Sequence, residues 1–219
     1  MDVIPAEQLI GMPLHTITKV LGEEGLRDRF ALEIGRFGPS ERLRLAAALG
    51  LATDLHRHDR RVNEPYVNHL LRVSIRIMCH YEVDDTDVIT AGVLHDAVED
   101  HAPELAGSGH GWHGGHGGDG QPGPARAPVP AALEVLADQF GRRVADLVAA
   151  VTNPEYDPTR DPDEQYREHL AESLEHNPWA RVIKVSDFTD NGVGVIHTTG
   201  PKALRAATKY RPLLPMLRD

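Results

Sequence analysis

One short stretch in the middle of the chain carries an imidazole and three carboxylates, in the order His95, Asp96, Glu99 and Asp100. Because residues 91–94 are apolar, the sequence predicts that this stretch continues an apolar helix and presents the four side chains on one face. Carboxylates at this spacing repel one another, and a divalent cation would remove that conflict. The stretch therefore predicts a metal site, and the alternative is a solvent-facing acidic helix end.

The adjacent His-Asp pair is a weak signal by itself. With 13 His and 18 Asp in 219 residues, about one such pair is expected by chance, and the chain has two. The neighbouring residues distinguish the two His-Asp pairs. His58-Asp59 lies in a polar, arginine-rich link and is expected at the surface, whereas His95-Asp96 follows an apolar run.

Two further residues could complete a metal site. His69 lies in an apolar helical pattern, and Asp187 follows the mostly apolar segment Val-Ile-Lys-Val at 182–185. Each could instead be a buried polar group with an ordinary hydrogen-bond partner. If they join His95 and Asp96, the set of two imidazoles and two carboxylates suits Mn, Fe or Zn rather than Ca alone. Such a site leaves positions for water and substrate, so the metal could lower the pKa of a water and polarise a phosphoryl oxygen.

The elements that must position these residues are helices. Helical patterns begin near residues 39, 65, 84, 130, 164, 177 and 201, with Ser40 expected as a cap and Gly141 as a kink. Strand patterns are scarce, so we predict an all-α fold with one helical domain over residues 39–219 and an N-terminal helical extension over residues 1–38. Residues 107–130 are rich in Gly and His, and we expect a mobile insertion there. Its imidazoles are a less favoured metal site: His110, His113 and His116.

Composition limits the function classes. The net charge of −10 argues against nucleic acid and anionic membranes as partners, but a small anionic substrate stays possible because a metal or local cations can reverse the field in one pocket. No apolar run is long enough to span a membrane, and the first ten residues do not look like a secretory signal. The single cysteine, Cys79, excludes an intramolecular disulfide and fits the cytoplasm. The oligomeric state is not predicted.

Four ordered segments resemble the HD-domain metal-dependent phosphohydrolases, most closely the RelA/SpoT-type (p)ppGpp hydrolase domains and their small stand-alone relatives. The segments are Asn-Glu-Pro-Tyr-Val-Asn-His at 63–69, Val-Leu-His-Asp-Ala-Val-Glu-Asp-His at 93–101, Phe-Gly through Val-Thr at 140–152, and Lys-Val-Ser-Asp followed by Asn at 184–191. The resemblance covers about residues 40–218 and implies an HD-type helical bundle. We expect no synthetase domain or regulatory tail, because the sequence ends at Asp219.

The resemblance implies a metal site and a reaction. One Mn²⁺-like ion, with Fe, Zn, Co or Mg not excluded, is bound by four residues: His69, His95, Asp96 and Asp187. Glu99 and Asp100 position or activate the attacking water. The reaction of the family is hydrolysis of the 3′-pyrophosphate of (p)ppGpp to GDP or GTP and pyrophosphate.

The resemblance also implies how the nucleotide is bound. Asn191 contacts the ribose or a phosphate, and Arg60 lies against the base or its phosphates, with Arg61 as the alternative. Candidates for holding phosphates in the last predicted helix are Arg205, Lys209 and Tyr210.

The chain departs from the family pattern in ways that leave the substrate open. Leu70 replaces a Pro, His101 replaces a Thr, and Asn153 begins a segment in which the family often has a Lys near the phosphates. Two alternatives to a (p)ppGpp hydrolase follow. One is an HD hydrolase of another nucleotide, such as NADPH or a nucleoside monophosphate. The other is a sensor that binds a nucleotide without hydrolysing it, although the Glu99-Asp100 pair argues against a pure binder.

Overall fold

The computed structural model of the protein describes residues 4–61, 64–108, 128–153 and 156–196, together with Thr208. Within these ranges the chain forms helices, and the extended pairing is limited to an isolated bridge between Arg60 and Pro65. The all-α prediction is confirmed. The helices are α1 Ala6–Gly11, α2 Leu14–Ile34, α3 Pro39–Leu55, α4 Val67–Cys79, α5 Thr86–Val93, α6 Ala97–Ser108, α7 Pro128–Phe140, α8 Arg142–Val151, α9 Pro162–His176 and α10 Pro178–Ile196.

Helix α4 is the centre of the molecule and is buried from Val67 to Met78. It packs against α2, α5 and α10. A helix that is enclosed in this way can hold polar side chains only if each finds a partner, and His69 lies on it. The N-terminal α2 adds Ile17 and Leu26 to the same apolar core, as expected for an extension packed on the domain. The proposed domain boundary at residue 39 stays a prediction.

Helix α3 begins at Pro39, near the predicted residue but two residues before the start that a Ser40 cap would give. Pro39 occupies the first helical turn, and the side chain of Glu41 accepts a hydrogen bond of 2.8 Å from the backbone N–H of Gly38. The cap residue is therefore Gly38, and the expectation that Ser40 caps the helix is wrong. Proline is favoured at this position because it lacks the N–H that a helix start leaves unpaired.

The predicted continuous helix through His95 and Asp96 is also wrong, because α5 ends at Val93 and α6 begins at Ala97. Nδ1 of His95 donates a hydrogen bond to the carbonyl oxygen of Gly92. In a continuous helix this carbonyl would instead accept from the backbone N–H of Asp96. Adjacent residues on a helix point about 100° apart, so an unbroken helix could not aim both side chains at one point. The break allows both to face one site.

The predicted kink at Gly141 is confirmed: this residue separates α7 from α8 and has φ +93, a conformation that favours glycine. Most of the predicted insertion (residues 109–127) lies outside the described residues, and so does the predicted last helix apart from Thr208. None of the described helices is long and apolar enough to cross a bilayer.

Candidate metal centre and active site

Four side-chain atoms from three parts of the chain converge on one point. Nε2 of His69 lies 3.6 Å from Oδ2 of Asp96 and 3.3 Å from Oδ1 of Asp187. Nε2 of His95 lies 3.1 Å and 3.8 Å from the same two oxygens. Four ligands that each lie about 2.1 Å from a metal ion are about 3.0–3.4 Å apart, so the spacing fits a single divalent cation. The structure thus brings together all four residues predicted as metal ligands.

The imidazoles of His69 and His95 are each oriented by a contact to Nδ1, on the side of the ring away from the candidate metal centre. Nδ1 of His95 donates to the carbonyl of Gly92 at 2.9 Å, and Nδ1 of His69 lies 2.8 Å from a carboxylate oxygen of Asp190. These bonds leave Nε2 of each neutral ring as the free lone pair, as in histidines that bind metals. Nε2 of His95 is buried and has no well-aligned hydrogen-bond partner among the described residues. The donor set therefore fits a metal ion.

The carboxylates of the cluster favour a positive charge at its centre. Burial disfavours a charged imidazole, but the carboxylates of Asp187, Asp190 and Asp96 outweigh it and raise the pKa of His69 to about 10. Burial disfavours charge on Asp96 too, and His95 and His69 nevertheless hold its pKa well below its ordinary value. A proton on His69 can thus supply the positive charge that a metal ion would otherwise bring.

Sequence reasoning missed Asp190, which organises the buried side of the centre. Asp190 is 1% exposed and receives hydrogen bonds from Arg72 at 2.8 and 2.9 Å and from Arg76 at 3.2 Å, in addition to its contact with His69. Arg72 in turn makes a bidentate pair with Glu64 at 2.7 and 2.8 Å. A signal was present in the sequence, since Asp190 comes one helical turn after Asp187 and Arg72 one turn after His69.

The open side of the centre faces a cavity of about 200 Å³. The residues that line it are Tyr66, His69, Asp96, Glu99, Asn153, Tyr166, Lys184, Asp187, Phe188 and Asn191. Glu99 is held at the rim, since its carboxylate accepts from the backbone N–H of Asn153 at 3.1 Å and from the Asn153 amide at 2.6 Å. Lys184 is 5% exposed and was not predicted as a site residue, although it brings a positive charge to this cavity.

Glu99 and Asp100, predicted to act on the attacking water, both lie in the first turn of α6. The N–H of Asp100 bonds to the carbonyl of Asp96 at 2.9 Å. Partial burial, and then the negative charges of Asp96 and Glu99, raise the pKa of Asp100 to about 6. Asp100 is thus a carboxylate that can exchange a proton close to neutral pH.

Of the predicted nucleotide contacts, Asn191 and Arg61 lie at the site. The amide of Asn191 donates to Oδ1 of Asp187 at 2.7 Å, and its oxygen accepts from Arg61. Arg60 is exposed, so the structure favours Arg61, the alternative, as the arginine near the cavity. The candidates in the last predicted helix lie outside the described residues: Arg205, Lys209 and Tyr210.

The described part of the link that precedes α4 makes more side-chain contacts than its polar composition suggested. His58 is exposed, as expected, but the prediction of a surface position is wrong for Asp59, which is partly buried and contacts His56 and His101. Its neighbour Tyr66 stacks on His56 with ring centroids 4.7 Å apart and also faces the cavity. Tyr66 belongs to the segment at 63–69 that carries the resemblance, but the sequence alone indicated no role for it.

No family model matches the chain. In sequence it is similar to guanosine-3′,5′-bis(diphosphate) 3′-pyrophosphohydrolase MESH1 of zebrafish (Danio rerio), with 29% identity over 147 residues. The alignment covers 65% of this chain and 64% of that protein. The mouse (Mus musculus) protein of the same name is 28% identical over 152 residues, 68% of this chain and 67% of that protein.

A solved structure of a metazoan ortholog of SpoT, which hydrolyses ppGpp, has the same fold. Its TM-score is 0.58 at 23% identity, and the match covers 80% of this chain and 85% of that one. The predicted resemblance to RelA/SpoT-type hydrolases is confirmed. The chain spans less than two thirds of the length of the zebrafish relative.

Proposed function

We propose that this chain is a metal-dependent phosphohydrolase that removes the 3′-pyrophosphate from (p)ppGpp. One observation carries the proposal: the imidazoles of His69 and His95 and the carboxylates of Asp96 and Asp187 converge beside a cavity that also holds Glu99 and Lys184. A binding protein needs cations for phosphates, whereas a hydrolase also needs acidic groups that act on water.

The metal ligands in this proposal are His69, His95, Asp96 and Asp187, and Mn²⁺ is the proposed ion. Mixed imidazole and carboxylate donors suit Mn, Fe or Zn, and the donor atoms of His69, His95 and Asp96 lie close enough together to hold one ion. When bound, the ion polarises a phosphoryl oxygen and lowers the pKa of a water.

Glu99 and Asp100, the acidic pair of α6, position and deprotonate the attacking water. Asn153 fixes the carboxylate of Glu99 through two hydrogen bonds, which orients it at the cavity rim. Asp100, whose pKa is raised to about 6, is ionised at pH 7 and accepts the proton of the attacking water. The products are GDP or GTP and pyrophosphate: the oxygen of the water bonds to phosphorus, the P–O bond to the 3′-oxygen breaks, and the proton held by Asp100 is transferred to that 3′-oxygen.

Positive groups around the cavity hold the nucleotide. Lys184 lies in the cavity wall and offers its ammonium group to a phosphate. Arg61 lies 5.9 Å from the centre of the Tyr66 ring and holds Asn191, so a base or ribose can bind against these three side chains. Roles for Arg60, Arg205, Lys209 and Tyr210 stay predictions, as does a location in the cytoplasm.

The direct test is incubation of the purified chain with ppGpp and Mn²⁺, with products separated by anion-exchange chromatography and identified by mass spectrometry. We expect GDP and pyrophosphate from the wild type and at least a 100-fold lower rate from D187N. The matched control is D138N, which makes the same change at an exposed carboxylate on α7 and should retain the wild-type rate.

The same assay separates the alternatives. Release of phosphate from NADPH or a nucleoside monophosphate, with ppGpp left intact, would show that the same site acts on a different class of nucleotide. Tight binding of ppGpp without turnover would favour a sensor. Full activity of D187N would contradict the metal centre itself.

A further inference from the structure

A second group of imidazole and carboxylate side chains lies outside the metal centre. His56 follows the end of α3, Asp59 lies in the link before α4, and His101 lies on α6. Oδ2 of Asp59 is 2.7 Å from Nδ1 of His56 and 2.7 Å from Nε2 of His101. The three donor atoms lie within 4.8 Å of one another, so one ion could contact all of them.

The chain differs from its family pattern at this cluster. His101 stands where the RelA/SpoT-type motif has a threonine, and its ring packs edge-on against His56 with centroids 4.5 Å apart. The extra imidazole turns a His–Asp pair into three convergent donors. Nothing in the proposed hydrolysis uses it.

The surroundings favour a cation. Nδ1 of His101 lies 3.7 Å from a carboxylate oxygen of Glu104, which is too far for a hydrogen bond but close enough to add negative charge beside the ring. The carboxylates of Asp59 and Asp100 repel each other electrostatically, and a cation nearby would offset that repulsion. The side chain of Asp59 is 34% exposed, which gives an ion and its waters access from solvent.

We propose that His56, Asp59 and His101 form a second divalent cation site, distinct from the His69 centre. Two imidazoles and a carboxylate suit a Zn²⁺-like ion, with water in the remaining positions. Binding requires the two 2.7 Å contacts to open only slightly, to about 3.0–3.4 Å, for an ion to sit between the donors.

A cation at this site would fix the entrance to the metal centre. The ion would hold the end of α3 and the link before α4 against α6. Because Tyr66 stacks on His56 and lines the cavity, the ion would also restrict the position of this ring in the cavity wall. The ring of Tyr66 separates the two sites: its other neighbour is His69, with centroids 5.6 Å apart. The second site does not depend on the proposed substrate, because it is argued from these donors alone.

The test measures metal stoichiometry with Zn²⁺ alone. The full chain is prepared with His110, His113 and His116 all changed to Ala, so that these imidazoles do not contribute. Zn²⁺ bound after equilibrium dialysis is counted by elemental analysis, and Co²⁺ absorption spectra report the ligand environment. We expect two equivalents in this background, one in D59N, one in H101T, and one in D187N, where the remaining ion is that of the second site.

Controls keep the result interpretable. H58A removes the exposed imidazole next to Asp59 and should keep both equivalents. The equivalent that D59N and H101T retain at the His69 centre shows that each variant is folded. A background protein that binds a single equivalent, lost in D187N, would overturn the proposal, and so would two equivalents that persist in both D59N and H101T.

Discussion

The phenolic O–H of Tyr66 donates a 2.7 Å hydrogen bond to Oδ2 of Asp96, the same oxygen that lies 3.1 Å from Nε2 of His95. The hydroxyl thus contacts the atom proposed to bind the metal. Burial, and then the charge of Asp96, raise the pKa of Tyr66 far above its ordinary value, so the group stays a donor at any working pH. Stacking on His56 fixes the ring in this position.

Tyr66→Phe should therefore weaken metal binding. The variant keeps the ring and its stacking but removes the bond that orients the Asp96 carboxylate. We expect about a 10-fold loss of Mn²⁺ affinity, since partners of metal ligands typically contribute 10–100-fold. Competition with a chelating dye measures the affinity without any substrate.

The control for this variant is Tyr81→Phe, which removes a hydroxyl from a half-buried tyrosine outside the cavity and should leave the affinity unchanged. Equal Mn²⁺ affinity in Tyr66→Phe and the wild type would show that the hydroxyl does not position Asp96.

A second prediction concerns Asp190, which receives hydrogen bonds from Arg72 and Arg76 in the interior. Asp190→Asn keeps the shape but leaves two buried guanidinium groups without their shared carboxylate. Removing one partner of a buried ion pair costs about 3–5 kcal/mol. We therefore expect the free energy of unfolding of the variant to be about 3 kcal/mol lower than that of the wild type, and its Tm to be lower by roughly 6–12 °C.

Thermal and urea unfolding of the metal-free protein measure this effect. Asp146→Asn, the same change at an exposed position on α8, should alter stability by less than about 0.5 kcal/mol. A comparable stability of Asp190→Asn and the wild type would contradict the role of Asp190 as the buried counter-ion.

Much of the candidate site was predictable because its proposed metal ligands lie in apolar surroundings. The pattern around His69 and Asp187 indicated buried helices, and a buried polar group needs a partner. Those two residues and the pair His95-Asp96 could therefore be grouped before any geometry was known. The all-α fold followed from the helical spacing of apolar residues.

Other features depend on contacts between distant residues, which spacing does not encode. The break before Ala97 follows from a side chain that bonds a backbone carbonyl, and the pattern of apolar residues continues across it. The cluster of Asp59 with His101 joins residues 42 positions apart, so the polar composition of the link suggested a surface position. The spacing places Asp190 one turn after Asp187, but it does not show that the partners of Asp190 lie on α4.

A third prediction follows from the pKa of His69, which the surrounding carboxylates raise to about 10 despite burial. At pH 7 the metal-free protein holds a proton on this ring, and a metal ion must displace it. Mn²⁺ affinity should fall about tenfold for each pH unit of acidification, and about one proton should be released per ion bound. Calorimetry in buffers of different ionisation enthalpy counts this proton. Binding that releases no proton between pH 6 and 8 would contradict the expectation.

The last prediction concerns Asp100, whose pKa is raised from 3.8 to about 6 by partial burial and by Asp96 and Glu99. Because the folded state binds the proton more tightly than the unfolded state, this carboxyl stabilises the fold fully below pH 3.8, and the contribution is lost as pH rises through about 6. Asp100→Asn removes the repulsion that remains above that pH. The metal-free variant should thus be more stable than the wild type at pH 7, by about 1 kcal/mol, since solvent screens an exposed side chain.

The gain should disappear at low pH, where the wild-type carboxyl is protonated, and should shrink when Mn²⁺ offsets the charge of Asp96. Chemical unfolding of both proteins at pH 4 and pH 7, with and without Mn²⁺, measures these differences. Asp100→Asn should also lose most of its hydrolytic rate, because an amide cannot accept the proton of the attacking water. A variant that is less stable than the wild type at pH 7 would indicate that Asp100 makes a favourable contact in the fold, and the repulsion within the acidic cluster would then be the weaker effect.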